Sequence, residues 1–375
     1  MSAQLEKFQK FLEMDPENLN LAVAAIDEAL HVGEFDVASA ILDKQISTHQ
    51  AQDMLILRTI MLSYLRDGEQ ETLKKLEGLD NLAGNDSRTR DYYLAQHYLS
   101  NENFSGAVER LLPYAFVAEP SREILTQLAE AAKRQGDLFL AIRAHEFSNE
   151  KLGSEPASFS EIALLQFELN EMTKAENNAR AALETSPGDA QAKFVLGSCA
   201  VANGEIDVAT PLLNDAATAF PNSGRPVAAL GMVALSQHDY IGGAQKLEQA
   251  IALDSEHLGM RVALAWCYLL QQDAESAINA MHAANEIDGN FAECRGTLAV
   301  AYLFNEEEDK AREEITIANR LNRNNFSGRF AQALIIAKGD TARYEKIIGA
   351  ILDQPIGPED KPLREMIFGA AVTRH

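Results

Sequence analysis

Residues 168–175 read ELNEMTKA, 201–209 VANGEIDVA, 235–244 LSQHDYIGGA, 269–277 LLQQDAESA and 303–311 LFNEEEDKA. Each stretch leaves one apolar run, crosses a short polar turn and enters another. The turn residues are Asn170, Gly204, His238, Gln272 and Glu306, spaced 34 residues apart. Working backward, KRQGDLFLA at 133–141 adds Gly136, and Glu102 and Gly68 keep the same step. Gly33 falls one residue off it, and Asp340 continues it forward. A fixed period of this length is the mark of stacked helix pairs.

The frame makes further demands. Two antiparallel helices joined by a short turn approach closely only where small side chains cross. Five residues after each turn residue stand Ala38, Ala107, Ala141, Ala175, Ala209, Gly243, Ala277 and Ala311, with Leu73 and Glu345 as exceptions. Seven residues before it stand Ala95, Ala129, Ala163, Gly197, Gly231, Ala265, Ala299 and Ala333, with Met61 and Ile26 as exceptions. Twelve residues after it, Ala182, Ala216, Ala250, Ala284 and Ala318 hold the register. Pro16, Pro120, Pro156, Pro187, Pro221 and Pro226 fall where units begin or end, as proline does at helix boundaries.

This period, the small residues at these spacings, Tyr98, Tyr268 and Tyr302 in the first helices, and Pro187 and Pro221 at repeat ends resemble the tetratricopeptide repeat family. The resemblance runs over roughly 19–359 and is sharpest at 156–325. It implies an all-α, right-handed superhelical solenoid of about ten antiparallel helix pairs. The expected organisation is one continuous array: an N-terminal capping helix at 1–18, degenerate units 1–4 at 19–155, well-matched units 5–9 at 156–325, and a last unit with a C-terminal capping helix at 326–375.

The ends read as caps, because an array exposes apolar faces where it stops. Leu5, Phe8, Phe11 and Leu12 share one helical face, and LREMIFGAAV at 363–372 follows Pro355, Pro358 and Pro362. Two prolines interrupt second helices. Pro211 lies near a helix start, where proline is tolerated; Pro113, late in RLLPYAF, should kink or end its helix and bend the array locally.

Composition narrows the function. The formal charge is −23, from 56 acidic and 33 basic residues. Such a surface repels phosphate backbones, and no dense basic run offsets it. Nucleic acid is therefore not an expected partner. Cys199, Cys267 and Cys294 are odd in number and widely spaced. Cys199 and Cys267 sit in apolar helix segments and suggest small buried hydrophobes, and the absence of a disulfide framework suggests a reducing compartment. The N-terminus does not read as a signal peptide, and no window reaches the length of a membrane span. The chain is expected to be cytoplasmic, without membrane insertion.

The chain carries no P-loop, GxGxxG, HExxH or GxSxG. His145 and Glu146 are helical neighbours that point apart. The run Glu306, Glu307, Glu308 and Asp309 suits a negatively charged helix N-terminus. No catalytic residue, metal site or cofactor is expected, and the repeats leave no segment of enzyme-domain size.

In the family, the first helix of each unit lines a concave face. The positions that the resemblance assigns to that face give Phe194, Val201, Met232, Leu235, Val262, Trp266, Leu269, Leu270, Val300, Leu303 and Phe304, followed by Phe330 and Leu334. An apolar stripe of this extent is either a binding groove or internal superhelix packing. The first half offers a more polar face with Arg58, Arg66, Tyr92, Lys133 and Arg134. Thr126, Glu130 and Glu161 stand where the carboxylate clamp of chaperone-binding relatives wants Lys or Asn, which argues against that function. The expected activity is a non-enzymatic scaffold or chaperone-like adaptor for an apolar or amphipathic segment of a protein or peptide partner. A secretion or assembly chaperone and a peptide-responsive regulatory subunit are the alternatives. A homodimer, with residues 362–371 of one copy seated in the groove of another, is also open.

Overall fold

The computed structural model describes residues 2–49, 52–68 and 70–353. Among these every regular element is a helix. The chain divides into two units, Met1–Ser154 and Glu155–His375.

In the first unit a lone helix, α1 (Ala3–Met14), precedes the pair α2 (Leu19–His31) and α3 (Phe35–His49). Then come α4 (Asp53–Asp67) with a 3-10 helix at Gln70–Gly78, α5 (Gly84–Ser100) with α6 (Phe104–Ala115), and α7 (Arg122–Gln135) with α8 (Leu138–Leu152). The second unit stacks six pairs: α9 (Pro156–Glu168) and α10 (Met172–Thr185), α11 (Ala190–Ala202) and α12 (Ile206–Ala219), α13 (Gly224–Ser236) and α14 (Tyr240–Leu253). It continues with α15 (Leu258–Leu270) and α16 (Ala274–Ile287), α17 (Ala292–Phe304) and α18 (Glu308–Leu321), and α19 (Phe326–Ala337) and α20 (Thr341–Leu352). Each unit is thus a solenoid of antiparallel helix pairs. The capping segment expected over 363–372, and the dimer contact expected over 362–371, lie outside the described residues.

The turn residues of the 34-residue frame have one conformation. Gly33, Gly68, Glu102, Gly136, Asn170, Gly204, His238, Gln272 and Glu306 all have φ between +59° and +91°. In eight of these turns the next residue donates its N–H across the turn to the carbonyl five residues back, as Glu205 does to Ala200 at 2.8 Å and Asp273 to Tyr268 at 2.9 Å. This closure satisfies carbonyls that the helix end leaves free. Asp340 departs from the frame. Its φ is −151°, and its carboxylate caps α20 by accepting from the Arg343 N–H, so the last turn sits one residue earlier. Aspartates play the same capping role at the start of α8, α14 and α16 through Asp137, Asp239 and Asp273.

The small crossing residues are buried as the frame requires. Ala38, Ala107, Ala141, Ala175, Ala209, Ala277 and Ala311 are sealed, as are Ala95, Ala163, Ala265, Ala299 and Ala333 on the facing helices. At Gly197 a Cβ would stand 2.8 Å from the Leu213 side chain, so the larger residue of α12 fills the space that glycine leaves.

Where the pattern weakens, the geometry changes. The second helix of the pair begun by α4 is reduced to the 3-10 helix, anchored by Leu73 and Leu76. Pro113 ends α6 two residues later, at Ala115. The second helices α3, α8, α10, α12, α14, α16 and α18 run for 14 or 15 residues, against 12 for α6 and for α20. Pro211 lies deeper than expected, at the sixth residue of α12, where it removes one intrahelical hydrogen bond.

Candidate functional site

The second unit carries an apolar cleft of about 540 Å³ on the first helices α9, α11, α13 and α15. Phe167, Phe194, Val201, Met232 and Met260 form its walls, with Met172 at one edge. Ala228, Ala229, Gly259 and Ala263 keep its floor low. The spacing follows from helix geometry: residues three or four apart share a face, as Phe194, Ser198 and Val201 do on α11 and Ala229, Met232 and Ser236 do on α13.

The cleft's basic groups are Arg225 and His257, joined by the hydroxyls of Ser198 and Ser236, the latter donating to the Met232 carbonyl at 3.0 Å. Arg225 lies over the Phe194 ring, 5.5 Å from its centroid, and reaches Glu168 at 2.9 Å. His257 accepts the Met260 N–H at Nδ1, so its Nε2 is the nitrogen left to donate. The Ser198 Oγ is buried without a hydrogen-bond partner. No carboxylate is among the lining residues; Glu168 stands beside the cleft, held by Arg225.

Only part of the expected stripe is here. Phe194, Val201 and Met232 line the cleft, and Met232 is 42% exposed. Leu235 packs inward against the core between α13, α14 and α15. Leu269 and Val300 are buried, Val300 completely, and serve packing, not an open face. Val262, Trp266 and Leu303 are partly buried against the cluster formed by α15 to α19. Trp266 lies 6.1 Å from Phe326 and 5.8 Å from Phe330, which are stacked on each other. Leu270 and Phe304 are about half exposed outside the cleft.

The cause is α19, which leans directly on α17. Thr297 donates to the Ser327 Oγ at 3.0 Å, and the Glu293 carboxylate accepts the N–H groups of Phe326 and Ser327. The far part of the expected groove is therefore filled by the chain itself.

The first unit has a more polar cleft of about 600 Å³ between α2, α4, α5 and α7, lined by Asp27, His31, Arg88, Tyr92, Tyr93 and Glu123 among others. Burial raises the hydroxyl pKa values of both tyrosines. Of the five residues expected on a polar face, Tyr92 alone lines this cleft. Arg58 is buried, paired with Asp27 and Asp86 at 2.7 Å each, and is a structural residue. Arg66 pairs with its neighbour Asp67, Lys133 with Glu130, and Arg134 lies over the Phe104 ring.

The remaining chemistry is quiet. Burial pushes the Cys267 thiol up to about 11 and the Cys294 thiol up to about 12. The acidic run at 306–309 is engaged by cations, Glu307 by Lys310 and Glu308 by Arg312 and Lys338. Among the described residues no group of three His, Cys, Asp or Glu is placed to hold a metal ion, and no helix is long and apolar enough to cross a membrane.

Phe167, Ser198, Arg225, His257 and Met260 were not expected at a site. Phe167 stands three residues before its turn residue, as Val201 does, so extending the groove positions to the fifth unit would have found it. Arg225 stands thirteen residues before the turn residue His238, as Glu123 does before Gly136; it therefore occupies a groove position of its own unit, and was passed over because only the apolar members of that set were taken there.

Comparison with known proteins agrees with this architecture. Two family profiles described as tetratricopeptide repeat match residues 161–224 and 234–290. No curated protein matches the chain in sequence. Among solved structures, a tetratricopeptide repeat protein from Parabacteroides merdae is similar at a TM-score of 0.50 and 16% identity, covering 63% of this chain and 93% of its own. PilF of Pseudomonas aeruginosa is similar at 0.46 and 18%, covering 56% of this chain and 96% of its own. A tetratricopeptide repeat protein from Thermus thermophilus is similar at 0.42 and 21%, covering 49% and 100%.

Proposed function

We propose that this chain, a tetratricopeptide repeat protein, is a protein-interaction scaffold that holds an apolar or amphipathic segment of a partner between α9, α11, α13 and α15. The observation that carries the reading is the apolar cleft, with Met232 exposed in its wall. A preformed groove of this kind gains affinity by removing apolar surface from water, at roughly 25 cal/mol per Å² less the cost of ordering the partner. Helix-in-groove docking uses anchors at i, i+3, i+4 and i+7, which suits a cleft crossing successive first helices.

The test is affinity capture with wild type, Met232→Asp and Leu270→Asp, each checked for folding by circular dichroism. A charge at Met232 stands in the cleft, and one at Leu270 stands outside it. The reading expects proteins held by wild type and Leu270→Asp and lost by Met232→Asp. The same set held by all three would overturn it.

A further inference from the structure

We infer that the segment taken by the α9–α15 cleft carries an acidic side chain, which replaces Glu168 on Arg225. This rests on the reading of the cleft as a partner site and names the chemistry of the partner.

The argument is one of complementarity. Arg225 is the one charged side chain lining the cleft, and beside it His257, whose Nδ1 already accepts the Met260 N–H, offers its Nε2 as a donor. A segment rich in acceptors satisfies them, whereas a basic one places like charge against a guanidinium. Arg225 reaches from α13 past Phe194 of α11 to Glu168 of α9. The guanidinium is thereby spread over the cleft's aromatic wall, close to where an apolar anchor would sit.

Arg225 can exchange partners at low cost. Both side chains of the Arg225–Glu168 pair are about one-third exposed, and ion pairs in that setting are weak. A ligand carboxylate arriving with its apolar neighbours brings its own desolvated surroundings. Bidentate guanidinium–carboxylate geometry then becomes available in a drier place. The backbone beneath is fixed, since a Cβ on the preceding Gly224 would stand 2.5 Å from the Ala250 carbonyl oxygen. Arg225 is thus held at one place on α13 and acts as a specificity-determining residue.

The experiment uses labelled amphipathic helical peptides with a Leu/Met face, in pairs that differ only by Glu or Gln at one edge of that face. Each edge position is sampled in turn, and binding to the full chain is read by fluorescence anisotropy. Wild type should prefer one Glu peptide over its Gln counterpart about five- to tenfold, and the preference should shrink as salt rises. Glu168→Gln should widen the preference by freeing Arg225, and Arg225→Met should abolish it while retaining binding of the Gln peptide. Equal binding of every Glu and Gln pair by wild type would overturn the inference and leave the apolar groove standing. Binding of none of the peptides would overturn the groove itself. Displacement of bound peptide by micromolar dodecanoate would assign the cleft to a fatty acid and overturn the peptide assignment.

Discussion

Gly296 of α17 and Gly328 of α19 bring two helices together backbone to backbone: a Cβ on Gly296 would lie 2.3 Å from the Gly328 nitrogen. Neither side can give way, because the neighbouring atoms are main chain or the Asn325 side chain that accepts the Gly328 N–H at 2.7 Å. The contact sets α19 over α17, seals Val300 and brings Phe326 and Phe330 to Trp266.

Gly296→Ala should therefore destabilise the second unit by about 2–3 kcal/mol through overpacking. Urea unfolding should show the loss, with Trp266 fluorescence as the probe of the displaced α19. Gly188→Ala, where nothing lies within 4 Å of the added carbon, is the control and should cause no loss.

The turns give the opposite sign. Gln272 and Glu306 hold left-handed backbone, with φ of +64° and +61°, which costs a residue bearing a Cβ about 1 kcal/mol. Gln272→Gly and Glu306→Gly should each raise stability by about 0.5–1 kcal/mol, additively, since they lie in separate turns. Gly204→Ala should lower it by about 1 kcal/mol through strain alone, because its Cβ would meet nothing. Thermal unfolding of the three variants checks all of this.

The turn frame was legible because it is local: period, chirality and the crossing alanines fix it within each helix pair. The fate of the groove positions was not. Ser198, Met232, Trp266 and Val300 all stand six residues before a turn residue. Ser198 and Met232 line the open cleft, Trp266 meets α19, and Val300 is sealed beneath it. What separates them is the Gly296–Gly328 approach, which joins residues 32 apart and follows no repeat rule. Arg58 escaped for a similar reason, since Asp27 and Asp86 come to it from two other helices.

Arg58→Met should destabilise the first unit by about 1–2 kcal/mol, because it leaves the partly buried Asp86 carboxylate, and the more exposed Asp27, without their cation. Arg66→Met, whose partner Asp67 is a solvated neighbour, should leave the unfolding midpoint unchanged. Restoring much of the loss with Asp86→Asn in the Arg58→Met background would assign the cost to the stranded charge.

The thiols set a pH dependence. With Cys267 at about 11 and Cys294 at about 12 in the folded chain, against about 8.5 when unfolded, the native state holds these protons longer. Their contribution to stability is whole below about pH 8.5 and falls as pH rises toward the folded values. Stability measured from pH 8 to 10 should decline, and a thiol reagent at pH 8 should label neither cysteine until the chain is unfolded.

The most direct measurement of the central claim is photo-cross-linking from inside the cleft. A benzophenone amino acid placed at Met232, and separately at Leu270, is irradiated in lysate and the adducts are identified by mass spectrometry. The account predicts a defined partner adduct from position 232, through an apolar or amphipathic segment, and none from position 270. Adducts from position 270 alone, or the same adducts from both positions, would contradict it.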